Sequence, residues 1–299
     1  MLKIAPRSLT AWVAALADQD IPVLAETAQE IVALAAKSDR VSARQLADVI
    51  LADPLMTVRV FATLARLRAK RPGTEITQVE GCIVMMGMPR FLESCANLPT
   101  IEEHLAGYDE ALDGLMRVVR RARTAARLSW NFAVWRKDSD AEELAIAALL
   151  HDIAEILVWA FAPELGVATR AEQRADPLHR SALAQKKVLL LELLDLQQAL
   201  ARTWHLPELL ADMMGERADN DRRTQNVRIA VNIARHSAGG WDSQALTYDY
   251  AEAAKLLNAS PQRVRELVEG PERNSEDEMN EPRSWESTII KDILVAAPR

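Results

Sequence analysis

The chain has 299 residues, enough for one large or two ordinary domains, and 49% of them are apolar, as in a folded protein with a sizeable core. Its formal charge of -7 argues against binding nucleic acid through overall charge, so nucleic acid is not an expected partner. Only 10 glycines occur, and Ala, Leu, Glu, Arg and Gln recur in long blocks while β-branched runs bounded by turn residues are almost absent, which predicts an all-α fold.

Lys3 and Arg7 ahead of residues 9–17 imitate a short signal peptide, but Ser8 is a good N-cap and an opening helix is the preferred reading. Ile21-Pro22 breaks the chain before a helix with Leu24, Ala28, Ile31 and Val32 on one face. Ser42 caps the next helix. Asp53-Pro54 starts another as N-cap and first helical residue, where the missing proline N–H is harmless. Arg66, Arg68, Lys70 and Arg71, followed by Pro72-Gly73, suit its C-terminus. Thr77 opens a helix over 79–86, with Gly87 expected to close it in a left-handed conformation and Met85, Met86 and Met88 expected as core filler. Pro89 starts the next helix.

After a mixed stretch over 97–107, the spacing predicts a long helix over 108–135. Leu112, Leu115, Met116, Val119, Ala122, Ala126, Trp130 and Ala133 form its expected inner stripe. On the same helix Arg120, Arg123 and Arg127 share a face at three- and four-residue spacing, where guanidiniums could grip phosphate. The bland reading is a solvated charged face. Residues 137–140 make a turn, and the apolar run 145–159 comes next as a helix carrying His151-Asp152. No stretch of 18 or more uncharged apolar residues occurs there, because His151, Asp152 and Glu155 interrupt it, so no membrane partner is expected. Helices are then expected through 173, over 181–194, up to Trp204-His205-Leu206-Pro207, over 208–214 and over 224–237. Gly239-Gly240 stops the last of these, and a final pair covers 250–257 and 260–268. Residues from 269 on read as an acidic flexible tail with a short terminal helix at its apolar finish, Ile289 to Val295. Cys82 and Cys95 make no CxxC, which fits a reducing, cytoplasmic location.

In this order the signals resemble the HDOD domain, the degenerate branch of the HD superfamily found in bacterial signalling proteins. Ile21-Pro22-Val23-Leu24 is similar to its proline-containing opening, and residues 49–57, with Asp53-Pro54-Leu55-Met56-Thr57, to its 'I…DP.LT' block. Residues 76–87 are similar to 'I.S…AI..LG', Ala148-Leu149-Leu150-His151-Asp152-Ile153 to 'LLHDIG', and Trp204 to Pro207 to 'W.LP'. The block that ends in 'NS' in the family reads Ala65-Arg66 here. The resemblance implies a helical bundle, divided here into an N-terminal helical subdomain over 1–107 and an HD-like helical subdomain over 108–268. It also frames the chemistry, because active HD phosphohydrolases hold a metal with H…HD…D, and the metal activates water. Of that set this chain keeps His151 and Asp152, with no histidine over 117–135 and Arg235 where the last aspartate would align. An arginine beside a cation repels it. Gln197 or Gln198 and Met213-Met214 stand at further positions where active relatives carry histidine, and His104, His179, His205 and His236 lack ligand spacing with the pair.

The expected function is therefore a non-catalytic signal-transduction or regulatory module that contacts another signalling protein, with no catalytic residue, no cofactor and no metal at a vestigial His151-Asp152 pair. Two other readings stay open. One is a nucleotide- or phosphate-sensing module that uses Arg120, Arg123 and Arg127. The other is a metal-dependent phosphohydrolase that recruits His179, Asp195 or Asp212 to the pair.

Overall fold

In the computed structural model, which describes residues 1–37, 41–68, 75–175, 181–215 and 221–269, the chain opens with α1 (Leu9–Leu16), α2 (Ala25–Ala35), α3 (Ala43–Ile50), α4 (Pro54–Arg68), α5 (Val79–Met86), α6 (Met88–Ser94) and α7 (Ile101–His104). It continues through α8 (Asp109–Arg136), α9 (Ala141–Leu150), α10 (Ile153–Phe161), α11 (Pro163–Ala175), α12 (Ser181–Leu189), α13 (Leu193–Thr203) and α14 (Glu208–Met213). The last three are α15 (Arg222–His236), α16 (Gln244–Leu257) and α17 (Pro261–Glu269). The fold is all-α, and one isolated parallel bridge, Val23 to Thr100, is the only β pairing among the described residues. Lys70 to Gly73, His179 and the expected tail beyond Glu269 lie outside the described residues.

The helices group into two compact units interleaved in sequence: Met1–Arg120 with Leu150–Ala211, and Arg121–Leu149 with the chain from Asp212 onward. The division expected at 107/108 falls inside the first of these.

The first unit is tied together at the start of α2. Asp53, fully buried, caps α4 by accepting from the Leu55 and Met56 N–H groups at 2.8 and 3.2 Å, and its other oxygen accepts from the Leu24 N–H at 2.8 Å. One residue on, the Ala25 N–H donates to Glu102 at 2.9 Å. Val23 completes the junction, donating to Pro99 O at 2.9 Å and accepting from the Ile101 N–H at 2.8 Å. Helix starts leave backbone N–H groups without intrahelical partners, and a carboxylate satisfies them while favouring the positive end of the helix dipole. Thr57 adds a bond from its hydroxyl to Ile50 O at 2.8 Å, fastening α4 to the end of α3.

Indoles hold the other helices of this unit. Trp12 on α1 is fully buried and donates to Leu189 O at 3.0 Å, and Trp204 donates to Ala17 O at the same distance. Trp159 on α10 lies between Gly114 of α8 and Gly166 of α11. A Cβ at either glycine would come within 2.6 Å of its ring.

The second unit has its own apolar core, in which Leu128 and Phe132 of α8 meet Ile229, Ala230 and Ile233 of α15, Leu246, Ala253 and Leu257 of α16, and Val264 and Val268 of α17. A fully buried polar knot adjoins it. Asn226 donates to Ser129 O at 3.2 Å, and the Ser129 hydroxyl lies 3.0 Å from Asn226 Oδ1 and 3.1 Å from Leu144 O.

Local readings change in several places. The helix expected over 145–159 is two helices, because Asp152 leaves helical geometry at φ -106° and ψ 20° and begins α10. Of the expected inner stripe of α8, Leu115, Val119, Ala122 and Ala133 are buried, while Leu112, Met116, Ala126 and Trp130 are only partly buried. Ala111, Val118, Ala125, Leu128, Ser129 and Phe132 are buried as well, so the helix is covered on more than one stripe, with small Ala and Ser inside where a count of large apolar residues points to Trp130. Gly87 has the expected positive φ, 85°, but ψ 129° takes it out of the left-handed helical region and makes it the start of α6 as well as the end of α5. Met85 is 56% exposed, contrary to the core-filler reading, whereas Met86 is buried. α16 starts at Gln244, six residues before the expected Tyr250, because burial of Leu246 recruits a weak helical sequence. The stretch Ala141–Phe161 is long and apolar enough to cross a membrane by length and composition, contrary to the expectation from its charged residues, and most of it is buried within the protein.

Two substitutions probe this framework. Asp53→Ala strands three backbone donors and should lower stability by about 3–5 kcal/mol, since bonds to a charged group contribute roughly 1.5–3 kcal/mol each but are not additive. Asp53→Asn should recover only part of this, because its amide nitrogen must face an N–H. Urea midpoints of the three proteins give the order. Gly166→Ala pits a helix-propensity gain of about 1 kcal/mol against overpacking of about 1–3 kcal/mol, and overpacking should win because Trp159 is confined from both sides. Gly239→Ala, with nothing within 4 Å of the added Cβ, is the near-neutral control in thermal unfolding.

Candidate functional site

His151 and Asp152 stand at the handover from α9 to α10. The Asp152 carbonyl accepts the Ile156 N–H at 3.1 Å and so opens α10, while its carboxylate turns back along the chain. His151 Nδ1 lies 3.1 Å from Asp152 Oδ1, with side-chain exposures of 14% and 7%. A buried carboxylate requires a donor, and the adjacent imidazole nitrogen lies within hydrogen-bond distance of it. The two groups therefore face one another, with the handover placing consecutive residues where a continuous helix would have splayed them apart.

A metal at this pair, as the HD resemblance implies, needs at least three fixed protein donors converging on one point. Among the described residues no group of three or more His, Cys, Asp or Glu side chains is placed to hold an ion. The alternative recruits do not change that: Asp195 and Asp212 are not drawn into such a group, and His179 lies outside the described residues. Gln197, Met213 and Met214 are buried neutral side chains, and Arg235 is exposed at the last turn of α15. The described residues alone do not make up a metal site.

The remaining histidines are accounted for locally. His104 Nε2 lies 3.1 Å from Ala160 O, with its ring edge-on to Phe161 at 5.1 Å between centroids. His205 is exposed at φ 51°. His236 Nδ1 lies 2.5 Å from Oδ2 of Asp249, whose side chain is 4% exposed. This second His-Asp pair, between α15 and α16, was not read from the sequence, because its members are thirteen residues apart and share no motif.

On α8, Arg120 is exposed and Arg123 and Arg127 are partly buried, and each makes an interaction of its own. The structure extends their row in both directions. Arg117, Arg120, Thr124, Arg127 and Asn131 recur at alternating three- and four-residue steps along α8, with the core residue Leu128 on the same face between Thr124 and Asn131. At the two ends of the row, Arg117 Nη2 and Asn131 Oδ1 are buried without a hydrogen-bond partner among the described residues, and Asn131 as a whole is 3% exposed. Such atoms are rare in folded proteins and call for an explanation. Arginine spacing alone drew attention to this face. Asn131, two heptads beyond Arg117, was the available signal that it continues.

The fold is all-α among the described residues, and none of their other His, Cys, Asp or Glu side chains is grouped with the His151-Asp152 pair to hold an ion. The chain belongs to the HDOD domain family, whose model matches residues 21–219. The fold resembles the MmoQ response regulator from Methylococcus capsulatus, at 20% identity over 80% of this chain and 98% of that one, with a TM-score of 0.62. It also resembles a virulence factor from Campylobacter jejuni subsp. jejuni, at 15% identity over 92% of this chain and 98% of that one, with a TM-score of 0.63. The comparison with curated proteins returns no match.

Proposed function

We propose that the chain is a non-catalytic regulatory module of a cytoplasmic signalling pathway, acting by contact with another protein. The observation that carries this is the pairing of His151 with Asp152 across 3.1 Å, which leaves the carboxylate engaged by its neighbour where hydrolysis would need it on a metal. The signalling role is what the HDOD resemblance implies, and the MmoQ protein of similar fold is named a response regulator. Two free, buried cysteines accord with a reducing compartment.

A hydrolysis panel tests the reading. With p-nitrophenyl phosphate, bis-p-nitrophenyl phosphate and a cyclic dinucleotide, each with Mg²⁺, Mn²⁺ or Fe²⁺, the protein and its His151→Ala variant should give the same background rate. Metal-dependent turnover that disappears in His151→Ala would overturn it.

The buried, partnerless atoms at both ends of the α8 row favour a second reading, in which this face binds a phosphate-bearing ligand without turnover. Replacing an unsatisfied buried amide by a similar-sized apolar side chain removes a penalty of roughly 1–3 kcal/mol. Asn131→Leu should therefore raise the melting temperature of the free protein. If the face is a ligand site, the same variant should lose the thermal shift that mono- and dinucleotides produce in the parent. A panel of nucleotides that shifts neither protein removes this reading.

A further inference from the structure

The described histidines differ in the two properties that make an imidazole a nucleophile: a ring nitrogen open to solvent, and a group that orients the ring and faces the charge it gains. His151 has a carboxylate beside it, but its side chain is only 14% exposed. His205 is exposed and has no carboxylate partner among the described residues. His104 turns its Nε2 to the Ala160 carbonyl. His236 combines both properties: its side chain is 41% exposed, while its Nδ1 lies 2.5 Å from Oδ2 of Asp249, which is 4% exposed.

An ionised carboxylate only accepts hydrogen bonds, so the ring nitrogen that faces it carries the hydrogen, and in the neutral ring the lone pair is then on Nε2. With Nδ1 turned to a buried acid, the exposed share of the ring is its opposite edge, which holds Nε2, and no hydrogen bond to Nε2 occurs among the described residues. The acid is fixed independently of the ring, because Asp249 stands on α16 between buried Leu246 and Tyr250. Bond formation at Nε2 makes the ring a cation. Asp249 faces that charge, as the aspartate of a catalytic triad does. His236 is also the last residue of α15, where the free carbonyls of the helix end favour a cation.

We propose that His236 is a phosphoryl-acceptor residue, taking the group on Nε2 from a phosphoramidate or an acyl phosphate, with Asp249 as its positioning residue. The Nε2 lone pair attacks phosphorus, and the bond to the leaving group breaks with its electron pair, releasing ammonia from phosphoramidate or a carboxylate from an acyl phosphate. The Nδ1 hydrogen stays in its bond to Asp249. The inference rests on the regulatory reading above for its use: a module that works by contact changes the surface it presents when it gains phosphoryl charge.

Phosphoramidate, applied to the full-length chain near neutral pH, is the probe. Peptide mapping under alkaline conditions should find His236 labelled about tenfold faster than His205, a factor of the order that a hydrogen bond to a charged group supplies, and His151 labelled more slowly than either. Phosphorus NMR of the labelled protein should show the Nε2 isomer. Asp249→Asn keeps an acceptor for the Nδ1 hydrogen but removes the charge, so in this variant the His236 rate should fall to about that of His205. Its melting temperature reports whether it has folded, and the comparison among histidines of the parent requires no variant. Equal labelling of His205 and His236 overturns the proposal, as does the Nδ1 isomer, or a His236 rate that a folded Asp249→Asn leaves unchanged. A chain that takes no phosphoryl group and also hydrolyses nothing in the panel above loses this proposal and keeps the regulatory reading.

Discussion

One carboxylate with no exposure to water, Asp53, decides how the first unit is put together. Burying an ion is unfavourable unless its lone pairs are satisfied, and three backbone N–H groups from two helix starts satisfy it. Neither α2 nor α4 needs Asp53 to be helical, since both have adequate sequence propensity. What the carboxylate supplies is their mutual position, because one side chain must reach both ends at hydrogen-bond distance. Proline at position 54 fits the same geometry, as the only amide near the carboxylate that has nothing to donate. The bridge between Val23 and Thr100 and the bond from Ala25 to Glu102 then result from where α2 has been fixed.

The other constraint in this unit is volume. Trp159 lies among glycines at two helix contacts, so α8 and α11 approach α10 more closely than any side chain would allow. Close approach of this kind leaves little room for rotation about the helix axis, and the orientation of α8 in turn decides which of its residues face water. Arg117, Thr124 and Arg127 are half-buried, Arg120 is exposed and Asn131 is buried, with core Leu128 on the same face between Thr124 and Asn131.

Much of the architecture was legible because it is written in end signals. Ser8, Ser42 and Asp53-Pro54 each begin a helix as their chemistry requires. Long-range packing was less legible. The buried side of α8 includes Ala111, Ala125 and Ser129, residues whose types do not announce burial, while Leu112, Met116 and Trp130, expected inside, are only partly buried. Asn258 ends α16 at φ 50° and ψ 48°, and Ser243 starts it without a side-chain bond, so the beginning of that helix carried no signal. Of the candidate site, the His-Asp dipeptide was visible and its geometry was not, because no glycine or proline marks the break at Asp152 within the mostly apolar run.

Three buried aspartates allow the pair at His151 to be weighed by comparison. Asp53 is satisfied by backbone donors, Asp249 by His236 at 2.5 Å, and Asp152 by His151 at 3.1 Å. His236 and Asp249 belong to no metal motif, yet they show the same arrangement of ring nitrogen against a nearly buried carboxylate. In this chain, then, an imidazole beside an aspartate is a recurrent way of keeping an acid inside a helical core. Asp152 uses its backbone to start α10 while its carboxylate lies against the preceding imidazole, so the dipeptide joins two helices.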